Sequence, residues 1–398
     1  MTHKPLALFV TPVVPMPGGS GRALRAWDWL QSLSVQYRVH LLITAERSSW
    51  PQLPADYPAE ALWPLTEHIS GTRRFFRLGG LLLPLLAVCS RRFVSDWQRW
   101  RSPAQLDALS AQLGGAPVAR IVVFRLYLHD LGAALAARYP NARCDLDLDD
   151  LESSTRQSVA LASWRIGQYR EALRGLAIAV QYRLVEQGIA SCYQHLYLAA
   201  ASDAQQLPRG SGQSIAYRPN RIALPGVPTP LPATDELGLL FVGTLNYSPN
   251  EEAVRYLLRH LLPLLRARLN IPWRLRIVGR HASAGLQALM CNEPQVEFCA
   301  DAEGLDDSYA RSHIVLVPLF AGGGTKLKTL EGFAYQRPVI ASAQGVRGLD
   351  ATSGVDYLAA DTPEQFAAAV ITLATQPGLA ERIASAGRTL CQSRYARP

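Results

Sequence analysis

The stretch FAGGGTKLKTLEGFAYQRPVIAS, residues 320–342, decides the fold class of the C-terminal half of the chain. It begins at the last residue of an apolar run, HIVLVPLF, and it ends in a second one, RPVIAS. Between the two runs lie three consecutive glycines and then apolar residues at helical spacing, Leu327, Leu330 and Ala334. A strand, a glycine turn, a helix and a second strand in this order predict a parallel α/β unit.

The glycine turn within this stretch has the composition of an anion-binding site. Parallel sheets bind ligands beyond the carboxyl ends of their strands, and glycines allow a backbone to come close to a ligand. The free N–H groups at a helix N-terminus attract phosphate, and Thr325 is predicted to be the N-cap of this helix. Lys326 and Lys328 would place cations in the first turn, where they oppose the helix dipole unless an anion is bound.

Lysine is rare in this chain, which makes these two positions informative. Of the 40 Lys and Arg residues only Lys4, Lys326 and Lys328 are lysines. An ammonium is a compact point charge, whereas a guanidinium is a broad planar fork, so the turn is predicted to need lysine. Glu331 follows one helical turn later, where a carboxylate would repel a phosphate but could accept hydrogen bonds from a diol such as ribose.

Composition limits the classes of protein that the chain could represent. Its 398 residues predict two domains, and its 48% hydrophobic and 18% charged residues are typical of a globular protein. A net charge of +8 favours an anionic partner, either a phosphorylated small molecule or an anionic membrane surface. The arginines are scattered along the chain, so no nucleic-acid-binding arm and no nucleic-acid partner are predicted.

The cysteines and the apolar runs bear on localisation. The six cysteines lack the spacing of a zinc site or a redox dithiol, so we predict reduced thiols in the cytoplasm. The longest apolar run, LGGLLLPLLAVC at 78–89, has twelve residues, whereas about 20 are needed to span a bilayer. Two interpretations stay open: a core segment with solvated arginines on both sides, or a patch that enters one anionic leaflet.

Strands and helices alternate in both halves of the chain, which predicts an α/β protein with two parallel sheets. A region of five prolines separates the halves and is predicted to be a linker. The predicted parts are an N-terminal domain at 1–218, the linker at 219–235, a C-terminal domain at 236–385 and a tail at 386–398. One long helical region is expected at about 153–188.

Several of these segments resemble the motifs of the retaining GT-B glycosyltransferases of family 4, in particular the bacterial exopolysaccharide subgroup. In the C-terminal half the similar segments are GGGTKLKTLE (322–331), RPVIASAQGVRGL (337–349) and LLFVGTLNYSPNEEAVRYLL (239–258). In the N-terminal half they are LFVTPVVPMPGGSGRALRAWDWL (8–30) and DLDLDDLES (145–153). The resemblance extends from about residue 5 to about residue 390 and is weak between about 50 and 110.

This resemblance implies two Rossmann-like domains whose parallel sheets face each other across a cleft. The C-terminal domain would bind a nucleotide sugar, UDP- or GDP-linked, as the donor substrate, and no separate cofactor is expected. The resemblance assigns Lys326, Lys328 and Asp150 to catalysis. The donor-binding residues that it implies are Gly19, Gly21, Arg25, Gly243, Gly322, Gly323, Gly324, Thr325, Leu327 and Glu331. An arginine at 326 is expected to be tolerated better than an arginine at 328.

One position departs from the general motif of these enzymes. The first glutamate of their Glu-seven-residues-Glu motif would fall at 323, where this chain has Gly323. The departure leaves open which side chain contacts the donor sugar ring, and therefore which sugar is used. The backbone N–H groups of Gly323 and Gly324 are expected to supply part of that contact.

The alternating aspartates Asp145, Asp147 and Asp149 contain a DxD pattern, which some glycosyltransferases use to bind Mn²⁺. The same alternation is typical of a strand with one polar face. We predict no metal site, and the resemblance instead implies that Asp149, Asp150 and Glu152 contact an acceptor or donor sugar.

The predicted function is transfer of a sugar to a glycan or a lipid-linked glycan in polysaccharide biosynthesis, in the cytoplasm or at the inner face of the cell membrane. Two alternatives stay open. One is an enzyme similar to NDP-sugar 2-epimerases, which share the two-domain build. The other is a non-catalytic sugar-nucleotide-binding partner in a polysaccharide assembly complex, which the glycine at 323 would favour.

Overall fold

The computed structural model divides the chain into two compact units. The first comprises Met1–Arg156 with Gly175–Arg221, and the second comprises Gln157–Arg174 with Ile222–Pro398. The apolar run at 78–89 lies outside the described residues. The structure describes residues 4–65, 68–70, 98–100, 103–189, 192–207, 214–226, 230–232, 234–300, 302 and 304–397.

The first unit is built on a seven-stranded sheet with the order β3-β2-β1-β6-β7-β8-β9, in which every neighbouring pair is parallel. β4 and β5 form a separate antiparallel pair. The strands are β1 (Leu6–Thr11), β2 (Arg38–Ile43), β3 (Ala61–Pro64), β4 (His68–Ser70), β5 (Gln98–Trp100), β6 (Val118–Phe124), β7 (Arg143–Asp149), β8 (His195–Leu198) and β9 (Ser214–Tyr217).

Helices follow these strands along the chain. They are α1 (Gly21–Gln36), α2 (Pro103–Leu113), α3 (His129–Arg138), α4 (Glu152–Arg165), α5 (Tyr169–Ile189) and α6 (Ala201–Ala204), with short 3₁₀ segments at Arg47–Ser49 and Leu126–Leu128. The helical region expected at about 153–188 is confirmed, and it consists of two helices with a break between α4 and α5. Gly167 adopts φ +84° at this break, a left-handed conformation that ends a right-handed helix and that glycine adopts easily.

The sheet of the first unit is buried on both faces, as parallel sheets are. Leu8 and Val10 of β1 pack into one hydrophobic cluster. Phe9, which points to the opposite face, packs with Trp29 and Leu30 of α1. This two-sided burial explains why β1 is a continuous apolar run in the sequence.

The second unit has a six-stranded parallel sheet with the order β12-β11-β10-β13-β14-β15. Counted from β10, this is the strand order 3-2-1-4-5-6 of the Rossmann fold, with the reversal between β10 and β13. The strands are β10 (Leu237–Val242), β11 (Trp273–Gly279), β12 (Val296–Ala300), β13 (Ile314–Val317), β14 (Val339–Ala341) and β15 (Leu358–Ala359).

The helices of the second unit include the one predicted after the glycine turn. They are α7 (Ser248–Tyr256), α8 (Leu262–Arg268), α9 (Ala284–Cys291), α10 (Asp306–Ala310), α11 (Leu327–Ala334), α12 (Pro363–Thr375) and α13 (Pro377–Arg394). A π-helical segment, Leu257–Leu261, joins α7 to α8, and Ala343–Val346 is a 3₁₀ segment. Residues 386–394, which the sequence analysis placed in a tail, lie in α13.

Helix α11 is anchored in the core of the second unit. Leu330 and Ala334 are buried as predicted, together with Phe333, and Leu327 is partly buried against the same cluster. Cys391 of α13 lies against α11, with its Sγ 3.8 Å from the carbonyl oxygen of Leu330. The N-terminal end of α11 is therefore held in one place relative to β13 and β10. In the described parts of the chain, no helix is both long enough and apolar enough to cross a membrane.

Candidate functional site

The candidate site lies in the second unit, at the carboxyl ends of β10 and β13. Open parallel sheets bind ligands where the strand order reverses, and these two neighbouring strands mark that point. Gly243 follows β10, and the glycine turn follows β13. A Cβ at Gly243 would lie 2.9 Å from the side chain of Asn250 and 3.0 Å from Lys328 Nζ. The predicted residues Gly243 and Lys328, distant in the sequence, are thus brought together.

The ammonium of Lys326 is enclosed by the glycine turn itself. Its Nζ donates hydrogen bonds to the carbonyl oxygens of Gly322, Gly323 and Gly324, at 3.0, 2.6 and 3.1 Å. An ammonium has three donors, so these carbonyls account for its hydrogen-bonding capacity. In this structure Lys326 shapes the turn and contributes charge from inside it, and its predicted direct contact with a diphosphate stays a prediction.

This arrangement directs backbone N–H groups outward. In a trans peptide the N–H points opposite to the C=O of the preceding residue. Because the carbonyls of Gly322 and Gly323 face the Lys326 ammonium, the N–H groups of Gly323 and Gly324 point away from it. Neither N–H donates a hydrogen bond to any described residue. Gly322 and Gly324 adopt φ +103° and +64°, which explains the need for glycine at both positions.

The start of α11 differs from the prediction at one residue. The N-cap is Lys326 rather than Thr325, and no side chain caps the helix. The N–H of Gly322 donates to Ser158 Oγ at 2.6 Å, within the same unit, and Gln344 Nε2 donates to the Gly322 carbonyl. An uncapped helix N-terminus beside two outward N–H groups has the donors that an anion such as phosphate requires.

Lys328 supplies the ammonium that faces this site. It is half-buried, its Nζ donates to Asn250 Oδ1 at 2.6 Å, and it lies 4.3 Å from the ring centroid of Phe241. The hydrogen bond to Asn250 uses one of the three N–H donors of the ammonium, and no other described residue accepts from it. Burial lowers the pKa of Lys328 to about 7; the charge of Glu331 acts in the opposite direction, and that of Lys326 lowers the pKa further. A bound anion would favour the protonated form.

Glu331 is held one turn further along α11 by a tyrosine. Its Oε2 accepts a hydrogen bond from Tyr309 Oη at 3.2 Å, and the ring of Tyr309 is stacked on that of Tyr335 with centroids 4.2 Å apart. Burial raises the pKa of Glu331, while Tyr309 and Lys328 act to lower it. Its Oε1 accepts no hydrogen bond from the described residues. The carboxylate can therefore accept a hydrogen bond from a ligand hydroxyl.

The donor-binding residues predicted in the first unit are Gly19, Gly21 and Arg25, and their surroundings differ. Gly19 adopts φ +93°, and Gly21 is the first residue of α1. Arg25, in contrast, is 2% exposed and forms a bidentate ion pair with Asp147, with both N–O distances 2.7 Å. It also donates to Asn220 Oδ1 at 3.0 Å. The guanidinium of Arg25 is engaged in this buried network, and its predicted contact with a diphosphate stays a prediction.

Asp150 belongs to a second buried ion cluster, at the end of β7. Arg125 donates to Asp149 at 2.9 Å, to Asp150 at 2.8 Å and to Glu152 at 2.5 Å. Arg125 and Asp149 adopt φ +86° and +64°, left-handed conformations that cost about 1–3 kcal/mol each for residues other than glycine. Such strain is common at functional sites. The sequence analysis missed Arg125, whose only local signal is a charge directly after the apolar strand β6.

The alternating aspartates of β7 form ion pairs with arginines. Asp145 pairs with Arg120 at 2.6 Å and with Arg143 at 3.0 Å. Asp147 pairs with Arg25, and Asp149 with Arg125. Among the residues that the structure describes, no group of three or more His, Cys, Asp and Glu could hold a metal ion. The alternation therefore has a structural origin in buried ion pairs along one strand.

Comparison with known proteins places this site in a recognised type of domain. Residues 236–376 match the family model described as glycosyl transferases group 1. The matched range contains β10, the glycine turn and α11. A search of curated proteins gave no significant match.

Solved structures share the fold across nearly the whole chain. Sucrose-phosphate synthase from Thermosynechococcus elongatus superimposes with a TM-score of 0.65 at 16% identity, covering 99% of this chain and 95% of that one. A glycosyltransferase from Rickettsia africae gives 0.63 at 12% identity, covering 99% and 94%. Anabaena HepE in complex with UDP and glucose gives 0.58 at 14% identity, covering 98% and 95%.

The fold is therefore the two-domain, Rossmann-like GT-B fold. The match of residues 236–376 to the group 1 glycosyltransferase model, together with the shared fold, supports a transferase enzyme. The expected fold class is thereby confirmed.

Proposed function

We propose that this enzyme transfers a sugar from a nucleotide-sugar donor, UDP- or GDP-linked, to a glycan or lipid-linked glycan acceptor. The observation that carries the proposal is the set of groups at the start of α11. The N–H groups of Gly323 and Gly324 precede α11, the Lys328 ammonium belongs to its first turn, and the Glu331 carboxylate follows one turn later. The first two suit a diphosphate and the third suits the hydroxyls of a ribose.

The proposed chemistry rests on stabilising the leaving group. As the bond between the sugar and the diphosphate breaks, negative charge develops on the departing phosphate oxygen. The N–H groups of Gly323 and Gly324 and the ammonium of Lys328 would stabilise that charge. We propose that the reaction needs no divalent ion and no other cofactor, and that it retains the anomeric configuration, as in the family 4 enzymes that the motifs resemble.

A nucleotide-sugar donor is also supported by a structural relative. Anabaena HepE has been solved in complex with UDP-glucose, with a TM-score of 0.59 and 11% identity to this chain. Its structure shares the fold that brings the ends of β10 and β13 together here. From this relative we infer that the donor of this chain is a nucleotide sugar, and we infer nothing about the particular sugar.

The acceptor side is proposed to lie in the first unit, at the end of β7. Asp150 is held there by Arg125, and its other oxygen accepts from Thr155 Oγ1. We propose that Asp150 contacts an acceptor or donor sugar as a fixed hydrogen-bond acceptor. We further propose that the acceptor is a growing exopolysaccharide and that the protein, with its net charge of +8, acts at the anionic inner face of a membrane.

A donor screen tests the proposal. The purified chain is incubated with UDP-, GDP-, ADP- and dTDP-sugars, and released nucleotide and altered sugar nucleotide are measured with EDTA or with Mn²⁺. We expect release of one nucleotide that EDTA does not affect. An epimerised donor would instead indicate an epimerase, and binding without turnover a non-catalytic partner. Activity that depends on Mn²⁺ would contradict the metal-independent mechanism.

A further inference from the structure

Asn250 stands out in the second unit because both ends of its buried amide are used. It lies near the N-terminus of α7 and is 8% exposed. Its Oδ1 accepts from Lys328 Nζ at 2.6 Å, and its Nδ2 donates to the carbonyl oxygen of Thr244 at 2.9 Å. No role for Asn250 follows from the sequence motifs alone.

We propose that Asn250 is a positioning residue that holds the Lys328 ammonium at the anion site while leaving its positive charge uncompensated. The inference rests on the proposed function, because it takes the ligand of Lys328 to be the diphosphate of a nucleotide sugar. It adds a residue to that site from a different element, α7 rather than α11.

The orientation of the Asn250 amide follows from its two partners. The Thr244 carbonyl can only accept a hydrogen bond, so it must face the NH₂ end of the amide. The Lys328 ammonium can only donate, so it must face the oxygen. Both requirements agree on one orientation, and exchanging the amide's O and N atoms would lose both hydrogen bonds. The amide therefore acts as a fixed bridge from the backbone after β10 to the lysine.

Two glycines keep the space around this bridge narrow. A Cβ at Gly243 would lie 2.9 Å from Asn250 Cγ, and a Cβ at Gly279 would lie 2.1 Å from the carbonyl oxygen of Gly243. The backbone after β10 is thus packed against both β11 and the Asn250 side chain. Close packing restricts the rotamers that Asn250 and Lys328 can adopt, which fixes the direction of the ammonium.

The Asn250 side chain holds the Lys328 ammonium without carrying a charge of its own. A half-buried ammonium needs polar partners, and here they are the amide oxygen and the face of the Phe241 ring. Neither partner carries a charge. The charged groups that act on Lys328 are Glu331 and Lys326, which have opposite signs. A carboxylate at 250 would be nearly the same size as the amide but would form a salt bridge and compete with the diphosphate for the same charge.

The rarity of lysine allows a direct test. The chain has Lys4, Lys326 and Lys328 as its only lysines, so ¹³Cε-lysine labelling gives three signals, assigned by single substitutions. The titration of Lys328 is followed in the wild type, in Asn250→Asp and in Asn250→Ala. Asn292→Asp, at an exposed position after α9, is the matched control because it makes the same charge change.

We expect Asn250→Asp to raise the pKa of Lys328 by at least one unit and to weaken binding of the nucleotide sugar about tenfold. Asn250→Ala should also weaken binding, but without that increase in pKa. The Asn292→Asp control should leave both quantities unchanged. In a Lys328→Met background, Asn250→Ala should cost no further affinity.

Two results would overturn the inference. One is a Lys328 titration that is the same in Asn250→Asp as in the wild type. The other is an equal loss of affinity from Asn250→Ala with and without Lys328, which would mean that Asn250 does not act through Lys328. A wild type that binds no nucleotide sugar would count against the proposed function instead, because the NMR titration reports the contact without any ligand. Should Asn250→Asp fail to fold, the affinity of Asn250→Ala for the nucleotide sugar is compared with that of the wild type, and an unchanged affinity would overturn the inference.

Discussion

The affinity of this enzyme for its nucleotide sugar should depend on pH through Lys328. In the free protein burial lowers the pKa of Lys328 to about 7, and a neighbouring diphosphate should raise it again. Binding then takes up a proton at any pH between the free and the bound pKa. Affinity should therefore be highest below pH 7 and decrease as the pH rises.

The magnitude follows from the protonated fraction of the free protein. About one molecule in two carries the Lys328 ammonium at pH 7, and about one in a hundred does so at pH 9, so affinity should fall about 50-fold over this range. The affinity is measured by isothermal titration calorimetry with a nucleotide sugar. A free nucleotide is not used because its terminal phosphate would itself titrate. Parallel runs in buffers of different ionisation enthalpy measure the proton uptake, which should be about one half at pH 7 and should approach one by pH 9.

Lys328→Met provides the control for this experiment. The variant should bind more weakly at pH 7 and should show neither proton uptake nor pH-dependent affinity over the same range. Wild-type affinity that stays constant between pH 7 and pH 9, with no proton uptake, would refute the argument. The diphosphate would then not lie beside Lys328.

Three further substitutions test individual contacts. Glu331→Ala should weaken nucleotide binding by about 1–3 kcal/mol, because a charged acceptor for the ribose is lost; unchanged affinity in calorimetry with UDP and GDP would remove Glu331 from the site. Lys326→Arg should cost about 1–3 kcal/mol of stability, because the ammonium that it replaces is enclosed by three carbonyls; an unchanged denaturant midpoint would contradict the enclosed geometry. Arg125→Met should destabilise the first unit by about 3–5 kcal/mol, since it removes the cation shared by three buried carboxylates and leaves Asp149 and Glu152 only longer pairs with Arg25 and Arg156, both at 3.5 Å. Stability should be partly recovered at low pH, where carboxylates are protonated, and a loss that does not depend on pH would argue against this cause.

The sequence by itself determined the α/β class and the two parallel sheets, and it predicted where an anion site would lie. These features depend on local patterns: apolar runs that become buried strands, glycines where the backbone needs positive φ, and apolar residues at helical spacing on α11. Glu331 was also identified from the sequence as a ligand for a diol, because its place one turn after Lys328 is fixed by helix geometry. Its role as a ribose ligand stays a prediction.

Only the tertiary structure decided which charges remain available to a ligand. Lys326 and Lys328 look equivalent in the sequence, yet one is enclosed by its own turn and the other is held by Asn250, 78 positions away. Arg25 looked available and is paired with Asp147, 122 positions away. Such pairings depend on which strands become neighbours and in what register, and no local pattern specifies that. The strand order therefore determines which side chains meet, and hence which residues are left to bind the substrate.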